Sequence, residues 1–314
     1  MDFGVHLPLL DLDGPAVPPS QVLEYAQHVE QLGFAALAAH DHLVHTRPWL
    51  DGPTTLAAVV SHTRHIPLIT AVWLPVVRGP IALVRAFTAL DLLSGGRVIA
   101  GIGAGSSAQD YAAGGIPFEE RWARFDESIA LLRAAWRPDA APFHGRFYST
   151  EDFTLEPGPM RAGGPPLWIG AWGSPAGLRR TAELGDGWIA SAYNTTPELF
   201  GRALIDLGER LRRVGKDPGR FPNAIATMAL FVTDDGAEAR RILHDVLSQA
   251  LHRSEDDLRR RVLVGSPEEC AVLLRAYRAA GTQRMLLMPV RDGFRQLDLF
   301  RERVTPLMED ASSG

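Results

Sequence analysis

Cysteine is almost absent from this 314-residue chain, which has only Cys270. One cysteine cannot form an internal disulfide or supply a cysteine-based zinc or iron–sulfur cluster, and its scarcity fits a reducing compartment. Long apolar runs are also missing, because the most apolar stretch, residues 66–77, contains two prolines and is too short to span a bilayer. The N-terminus lacks the basic start and apolar centre of a signal peptide. We therefore expect a cytoplasmic protein with no membrane partner.

Positive charge is in short supply as well. The chain has 32 Lys and Arg residues against 37 Asp and Glu residues, a formal net charge of −5. It has no basic excess of the kind that attracts a nucleic-acid backbone, so we expect no nucleic acid and a small-molecule partner instead. Since 46% of the residues are apolar and 22% charged, the composition is that of a globular protein with a large core.

Short β-rich runs alternate with longer segments of helical period, and this alternation is the main structural signal. The predicted strands cover residues 3–7, 34–38, 68–73, 98–102, 167–170, 187–190, 224–232 and 285–288. A strand–helix unit repeated eight times predicts an α/β fold, a single (β/α)8 TIM barrel. We expect this barrel domain to cover residues 1–310 and residues 311–314 to be a frayed C-terminus.

Helix boundaries support this prediction. Ser266, Pro267 and Glu269 have the pattern of a capping box with proline at the first helical position. Glycine, the usual C-terminal cap, ends five predicted helices, at Gly33, Gly95, Gly185, Gly215 and Gly281. The rhythm breaks at residues 137–166, where residues 143–148 predict a small hairpin, an insertion after the fourth βα unit.

Candidate catalytic residues follow the second predicted strand, at the end of the barrel where active sites of this fold lie. The strand runs into His40, Asp41 and His42. A carboxylate between two histidines can orient an imidazole for proton transfer, so we take His42 and Asp41 as the candidate catalytic pair. Loop histidines also cap helices or bind backbone groups, and the pattern alone does not separate these roles.

A His-x-His pair at a strand end also begins the zinc site of some barrel hydrolases. Such a site needs three or four ligands drawn from several strands. Predicted strands five to eight contain no histidine, and the remaining histidines fall on helices, a helix end or the predicted hairpin: His62, His65, His144, His244 and His252. We therefore predict no metal site, and a metal hydrolase is a distant alternative.

Two glycine-rich loops follow the fourth and fifth predicted strands. They contain Gly103, Ala104, Gly105 and Ser106 in the first loop and Gly170, Ala171, Trp172 and Gly173 in the second. Free backbone N–H groups in such loops, and the helix N-terminus that follows the second, favour a phosphate group. The first loop lacks the G-x-G-x-x-G spacing of a dinucleotide-binding fold. Ordinary tight turns would contain the same glycines.

The third predicted strand ends in an apolar edge formed by Ala71, Val72 and Trp73. An apolar edge opposite phosphate-binding loops suits a planar ring with a phosphate tail. Trp73 as a core residue is the alternative. Five tryptophans are candidates to line an apolar pocket: Trp49, Trp73, Trp122, Trp172 and Trp188.

Several motifs, in order along the chain, resemble those of the bacterial luciferase-like flavin and deazaflavin oxidoreductases. The matching stretches are residues 89–97, 101–105, 117–121, 144–148, 165–170 and 184–188. The resemblance covers nearly the whole chain and is closest to the branch associated with coenzyme F420. It implies the same barrel, an oxidoreductase activity and F420 as the cofactor, with FMN as the alternative.

The resemblance also implies positions for the cofactor. Its ring would rest against a bulge at Ala71-Val72, often a non-prolyl cis peptide in this family, and its phosphate would lie against loops 103–106 and 170–173. Asp41-His42 falls where F420-using relatives carry an Asp-His pair beside the ring. His42 would then exchange a proton during hydride transfer. Family members often form homodimers.

Two departures separate the chain from named activities of the family. Relatives that oxidise sugar phosphates have an acid at the position of Ser106, and luciferase has an arginine at the position of Ala104. The sequence thus predicts hydride transfer between F420 and an unknown organic substrate. The alternatives are a monooxygenase that uses reduced FMN and O2 with a separate flavin reductase, and a non-catalytic flavin-binding protein.

Overall fold

The computed structural model describes residues 1–139, 141–152 and 154–309, so the expected frayed end at 311–314 lies outside the described residues. Its strands are β1 (Asp2–His6), β2 (Leu37–Ala39), β3 (Leu68–Thr70), β4 (Val98–Ile102), β5 (Leu167–Gly170), β6 (Gly187–Ser191), β7 (Asn223–Val232), β8 (Leu263–Gly265) and β9 (Arg284–Pro289). Strands β1 to β7 and β9 pair in parallel and close a ring. The predicted (β/α)8 barrel is confirmed.

Helices cover the outside of the barrel. They are α1 (Val22–Gln31), α2 (Gly52–Val59), α3 (Pro75–Arg78), α4 (Pro80–Ser94), α5 (Ala108–Ala113), α6 (Arg121–Ala135), α7 (Pro175–Leu184), α8 (Pro197–Arg213), α9 (Gly236–Arg241), α10 (Gln249–Leu251), α11 (Glu255–Arg259), α12 (Pro267–Ala279), α13 (Gly293–Leu299) and α14 (Thr305–Glu309). Segments Ile242–Ser248 and Phe300–Val304 are π-helical. None of the described helices is long and apolar enough to cross a membrane.

The core has two layers because successive strand residues point to opposite faces. Ala38, Ile69, Trp168 and Ile189 come from four strands and form one buried cluster, the barrel interior. Neighbouring strand residues pack instead into the larger cluster beneath the helices. The interior cluster fills the barrel below the carboxyl ends of the strands, and it is at those ends that the active sites of this fold lie.

Most predicted helix boundaries are found. Ser266 and Glu269 form the capping box at the start of α12, and Gly95 ends α4 with a left-handed φ of 69°. Gly185 is an exception, since its φ is −96°. Crowding restricts this position instead, because a Cβ on Gly185 would lie 2.9 Å from the carbonyl oxygen of Thr181. The prediction of a left-handed cap at Gly185 is therefore wrong.

Strand β7 contains a bulge that sequence periodicity did not predict. The register with β9 shifts between Ile225 and Met228, and Thr227 has a φ of 57°. The Thr227 N–H donates to Nε2 of His6 at 3.1 Å. Beyond the bulge, β7 also pairs with the three-residue strand β8, which lies outside the ring and was not among the predicted strands.

The expected hairpin at residues 143–148 is a turn rather than a pair of strands. One antiparallel bridge joins His144 and Ser149. The carboxylate of Glu127 accepts the N–H groups of Arg146, Phe147 and Tyr148. This helix residue therefore fixes the turn from outside it, a contact that local sequence cannot specify.

Candidate active site

A cleft of about 1020 Å³ opens at the carboxyl ends of the strands. Its walls include the predicted residues Asp41, His42, Ala71 and Val72, all four residues of loop 103–106, and Gly170, Ala171 and Trp172. The structure therefore brings together segments that are far apart in sequence, as the barrel prediction required. Gly173 lies next to the cleft wall but does not line it.

His42 is held by a carboxylate that the sequence analysis did not select. Its Nδ1 lies 2.7 Å from Oδ2 of Asp110, while its side chain is 30% exposed on the cleft wall. Asp110 belongs to the first turn of α5, where Ser107 caps the helix by accepting the Asp110 N–H. The spacing Ser107-x-x-Asp110 was a visible signal, but it is the pattern of a helix cap and does not indicate a histidine partner.

Asp41 does not orient His42. Its carboxylate is fully buried and receives Nε and Nη2 of Arg78 at 2.9 and 2.7 Å. Arg78 also binds Asp51 and so connects the β2 loop to the start of α2. Burial raises the pKa of Asp41, and the bonds from Arg78 oppose this effect. The expectation that Asp41 orients an imidazole is corrected: its geometry is that of a loop anchor.

Burial disfavours the charged imidazole in three other histidines at or near the cleft. Burial lowers the pKa of His6 to about 3 and lowers that of His40 well below its usual range. Burial also lowers the pKa of His45, whose Nδ1 accepts the N–H of Arg47. Within residues 1–139, 141–152 and 154–309, no three His, Cys, Asp or Glu side chains converge as a metal site would require.

The end of β3 has the backbone feature that the resemblance implied. The peptide bond between Ala71 and Val72 is cis, and both residues line the cleft. The Val72 side chain lies between Gly103, which belongs to the first glycine loop, and Gly170, which belongs to the second. These glycines therefore leave room for Val72 as well as exposing backbone to a ligand.

Each of the two loops accepts a hydrogen bond from a buried aromatic side chain. The hydroxyl of Tyr111 on α5 donates to the carbonyl of Ala104, and the indole N–H of Trp188 donates to the carbonyl of Ala171 at 2.9 Å. Ser174 caps α7 by accepting the Gly177 N–H. A helix N-terminus at the cleft, directly after a glycine loop, favours an anionic group.

The five candidate tryptophans separate into two groups. Trp49, Trp122 and Trp172 line the cleft, and Trp172 is 59% exposed. Trp73 and Trp188 are buried in the core, where they stack on Phe87 and Phe200. The prediction that Trp73 contacts the cofactor is not supported by its side chain, which packs away from the cleft against α4.

Arginine side chains contribute positive charge to the cleft, although Arg180 and Arg253 are each paired with an aspartate. Four arginines contribute to its walls: Arg47, Arg121, Arg180 and Arg253. Asp41 is the one carboxylate residue among the described cleft residues, and Arg78 neutralises it. Arg47 and Arg121 bind backbone carbonyls, and neither has a carboxylate partner among the residues described. The cleft therefore favours an anionic ligand, although the whole chain is acidic.

Comparison with known proteins shows the family of the chain. The sequence profile described as luciferase-like monooxygenase matches residues 1–257. The chain belongs to this family. An F420-dependent glucose-6-phosphate dehydrogenase of Intrasporangium calvum is 28% identical to this luciferase-like protein, covering 92% of this chain and 94% of the relative. An F420-dependent hydroxymycolic acid dehydrogenase of Mycobacterium tuberculosis is 32% identical, over 70% of this chain and 61% of the relative.

Solved structures show the same fold for this luciferase-like chain. An F420-dependent secondary alcohol dehydrogenase, solved with an F420–acetone adduct, has a TM-score of 0.85 at 19% identity and covers 98% of this chain and 99% of its own. A monooxygenase from Streptomyces bottropensis has a TM-score of 0.80 at 24% identity, with the same coverage. The predicted resemblance to the F420-associated branch is confirmed by the sequence relatives, and the chain is an oxidoreductase.

Proposed function

We propose that this chain binds F420 in the cleft and catalyses hydride transfer between F420 and a small alcohol or its carbonyl product. The observation that carries the proposal is His42 on the wall of an arginine-lined cleft, in a chain whose relatives are named F420-dependent dehydrogenases. We do not propose a sugar phosphate as the substrate, because Ser106 stands where such relatives have an acid.

The residues of the cleft fit an anionic cofactor with a planar ring. Loops 103–106 and 170–173 supply backbone N–H groups, Val72 supplies an apolar surface, and Arg47 and Arg121 supply positive charge. F420, when bound, supplies the site that accepts or donates the hydride. His42 takes the proton from the substrate hydroxyl during oxidation and returns it during reduction. Asp41 and Arg78 hold the loop that carries His42.

The test begins with binding. We would titrate the purified protein with oxidised F420 and, separately, with FMN, and follow the quenching of tryptophan fluorescence. Saturation by F420 alone at micromolar concentration is the expected result. Saturation by FMN alone would instead favour the monooxygenase, and binding of neither would overturn the proposal.

Turnover is then measured with a panel of alcohols and carbonyl compounds, by the visible absorbance of F420. We expect His42→Ala to bind F420 within about threefold of the wild-type affinity and to lose roughly 10²- to 10⁴-fold in turnover. His65→Ala is the matched control, since His65 is exposed and precedes β3 at the opposite end of the barrel. Cofactor binding without turnover of any substrate would favour the non-catalytic binding protein.

The remaining expectations about partners belong to the same proposal. A small-molecule substrate follows from the size of the cleft, about 1020 Å³. A homodimer and a cytoplasmic location stay predictions, which light scattering of the purified protein and fractionation of the source cells would test.

A further inference from the structure

One carboxylate oxygen of Asp110 contacts the candidate catalytic residue His42, and the other contacts the backbone of the loop that carries His42. Oδ2 lies 2.7 Å from Nδ1 of His42. Oδ1 accepts the N–H groups of Leu43 and Val44 at 2.8 and 2.9 Å. The carboxylate is only 1% exposed, so these three bonds define its surroundings.

The hydrogen bonds determine where the imidazole proton lies. Burial by itself would raise the pKa of Asp110, but the bonds from His42 and from the two backbone N–H groups outweigh burial and hold it below its usual range. The position of Asp110 in the first turn of α5 favours the same ionised form. An ionised carboxylate has no proton to donate, so Nδ1 of His42 must carry one. In the neutral imidazole, Nε2 is then the free acceptor.

We propose that Asp110 is the positioning residue of this active site: it fixes the ring of His42 in the Nδ1–H form, so that Nε2 exchanges the proton of the substrate. The role in turnover rests on the proposed function, whereas the state of the imidazole does not. Asp110 comes from the helix after β4 and His42 from the loop after β2, so the pair exists only in the folded barrel.

The surroundings of His42 leave Asp110 as its carboxylate partner among the described residues. The ring of His42 lies 5.2 Å from that of His45 and 5.1 Å from that of Trp49. His40 is buried, and both its burial and the nearby His42 lower its pKa. Arg78 reaches the carbonyl of His42 at 3.5 Å and is neutralised by Asp41 and Asp51.

Replacement of Asp110 by asparagine has a specific expected effect. The side-chain amide has one oxygen, and the N–H groups of Leu43 and Val44 both require an acceptor at the position of Oδ1. The NH2 group is then directed at Nδ1 of His42 and donates to it. The neutral imidazole must change to the Nε2–H form, in which Nε2 cannot accept a proton.

The imidazole state can be measured without cofactor or substrate. The protein would be labelled with ¹⁵N-histidine, and the signals of His42 would be assigned among the 10 histidines by their loss in His42→Ala. Long-range ¹H–¹⁵N spectra are expected to show the Nδ1–H form in the wild type and the Nε2–H form in Asp110→Asn. Glu127→Gln, which also neutralises a carboxylate that accepts backbone N–H groups, should leave the His42 signals unchanged.

An Nε2–H form in the wild-type protein would overturn the proposal, and this measurement does not require that any variant fold. An unchanged His42 signal in a folded Asp110→Asn protein would overturn it as well. In turnover with F420, we expect Asp110→Asn to lower kcat by about 10²- to 10⁴-fold and to leave F420 affinity within about threefold. Failure of F420 to bind, with the expected NMR result, would overturn the proposed function and leave the assignment of Asp110 as the partner of His42.

Discussion

Val72 occupies the space that a side chain on Gly103 would need. A Cβ on Gly103 would lie 2.7 Å from Cγ2 of Val72, and a Cβ on Gly170 would lie 2.9 Å from Cγ1 of the same residue. Strands β3, β4 and β5 therefore meet around a single isopropyl group at the bottom of the cleft. Packing alone therefore requires glycine at Gly103 and Gly170, whether or not a ligand is bound.

This packing predicts the effect of Gly103→Ala. The added methyl group must displace Val72, which we expect to lower the free energy of unfolding by about 1–3 kcal/mol and to weaken F420 binding. Urea unfolding and fluorescence titration measure the two effects.

The double variant Val72→Ala with Gly103→Ala removes the clash and should recover most of the stability. Gly236→Ala is the control, since a Cβ there meets no atom within 4 Å. A fully stable Gly103→Ala protein that binds F420 normally would contradict this account of the loop.

The Asp41–Arg78 pair predicts a pH-dependent loss of stability. Arg78→Met leaves the buried carboxylate of Asp41 without its partner, and we expect a loss of about 3 kcal/mol at pH 7. Because burial raises the pKa of Asp41, protonation of this carboxyl costs less free energy in the folded state than in the unfolded chain. Its contribution to stability is therefore greatest at low pH and is lost as the pH rises through the raised pKa.

The free energy of unfolding of Arg78→Met should accordingly be closer to that of the wild type at pH 5 than at pH 7. Urea unfolding at both pH values measures it. When both proteins carry Asp41→Asn, the effect of adding Arg78→Met on the free energy of unfolding should no longer depend on pH. A constant deficit in both variants would show that Arg78 acts through packing or through Asp51.

The two groups of tryptophans predict opposite phenotypes. Trp73 is fully buried against Phe87, so Trp73→Ala should lower the free energy of unfolding by about 3–5 kcal/mol. Trp172 is 59% exposed on the cleft wall, so Trp172→Ala should change stability by less than about 0.5 kcal/mol and weaken F420 binding. Thermal unfolding and F420 titration of both variants measure these effects. A stable Trp73→Ala protein with weak F420 binding would contradict the assignment of Trp73 to the core.

The charge of the cleft predicts salt-sensitive binding. Raising the ionic strength from about 0.05 to 0.5 M should weaken F420 affinity by roughly threefold to tenfold, because added ions screen the arginines. Arg121 stacks on Phe118 at 4.0 Å and is held at the cleft, so Arg121→Gln should weaken binding and flatten the salt dependence.

Arg220→Gln is the matched control for this experiment, because Arg220 is exposed and precedes β7 at the other end of the barrel. It removes the same charge from the chain and should leave the salt dependence unchanged. Equal effects of the two substitutions would indicate that net charge, rather than the cleft, governs binding.

Local sequence was enough to predict the barrel and the segments after its strands that line the cleft. Alternating periods identified the eight strands that close the ring, and Ser266 and Glu269 identified a helix start that the structure confirms. The segments at His42, Val72 and the two glycine loops all line the cleft. These features follow from periodicity, capping and the common direction of parallel strands, which a sequence carries in residues close together.

Tertiary structure alone decided which side chains meet. The neighbouring Asp41 was the obvious partner for His42, yet Asp41 is bound by Arg78 and the partner of His42 is Asp110, 68 residues along the chain. Trp73 and Trp172 are equally apolar in sequence, and only the direction of each side chain separates a core residue from a cleft residue. Such contacts depend on the register of strands and helices that lie far apart in the chain, and no local pattern specifies that register.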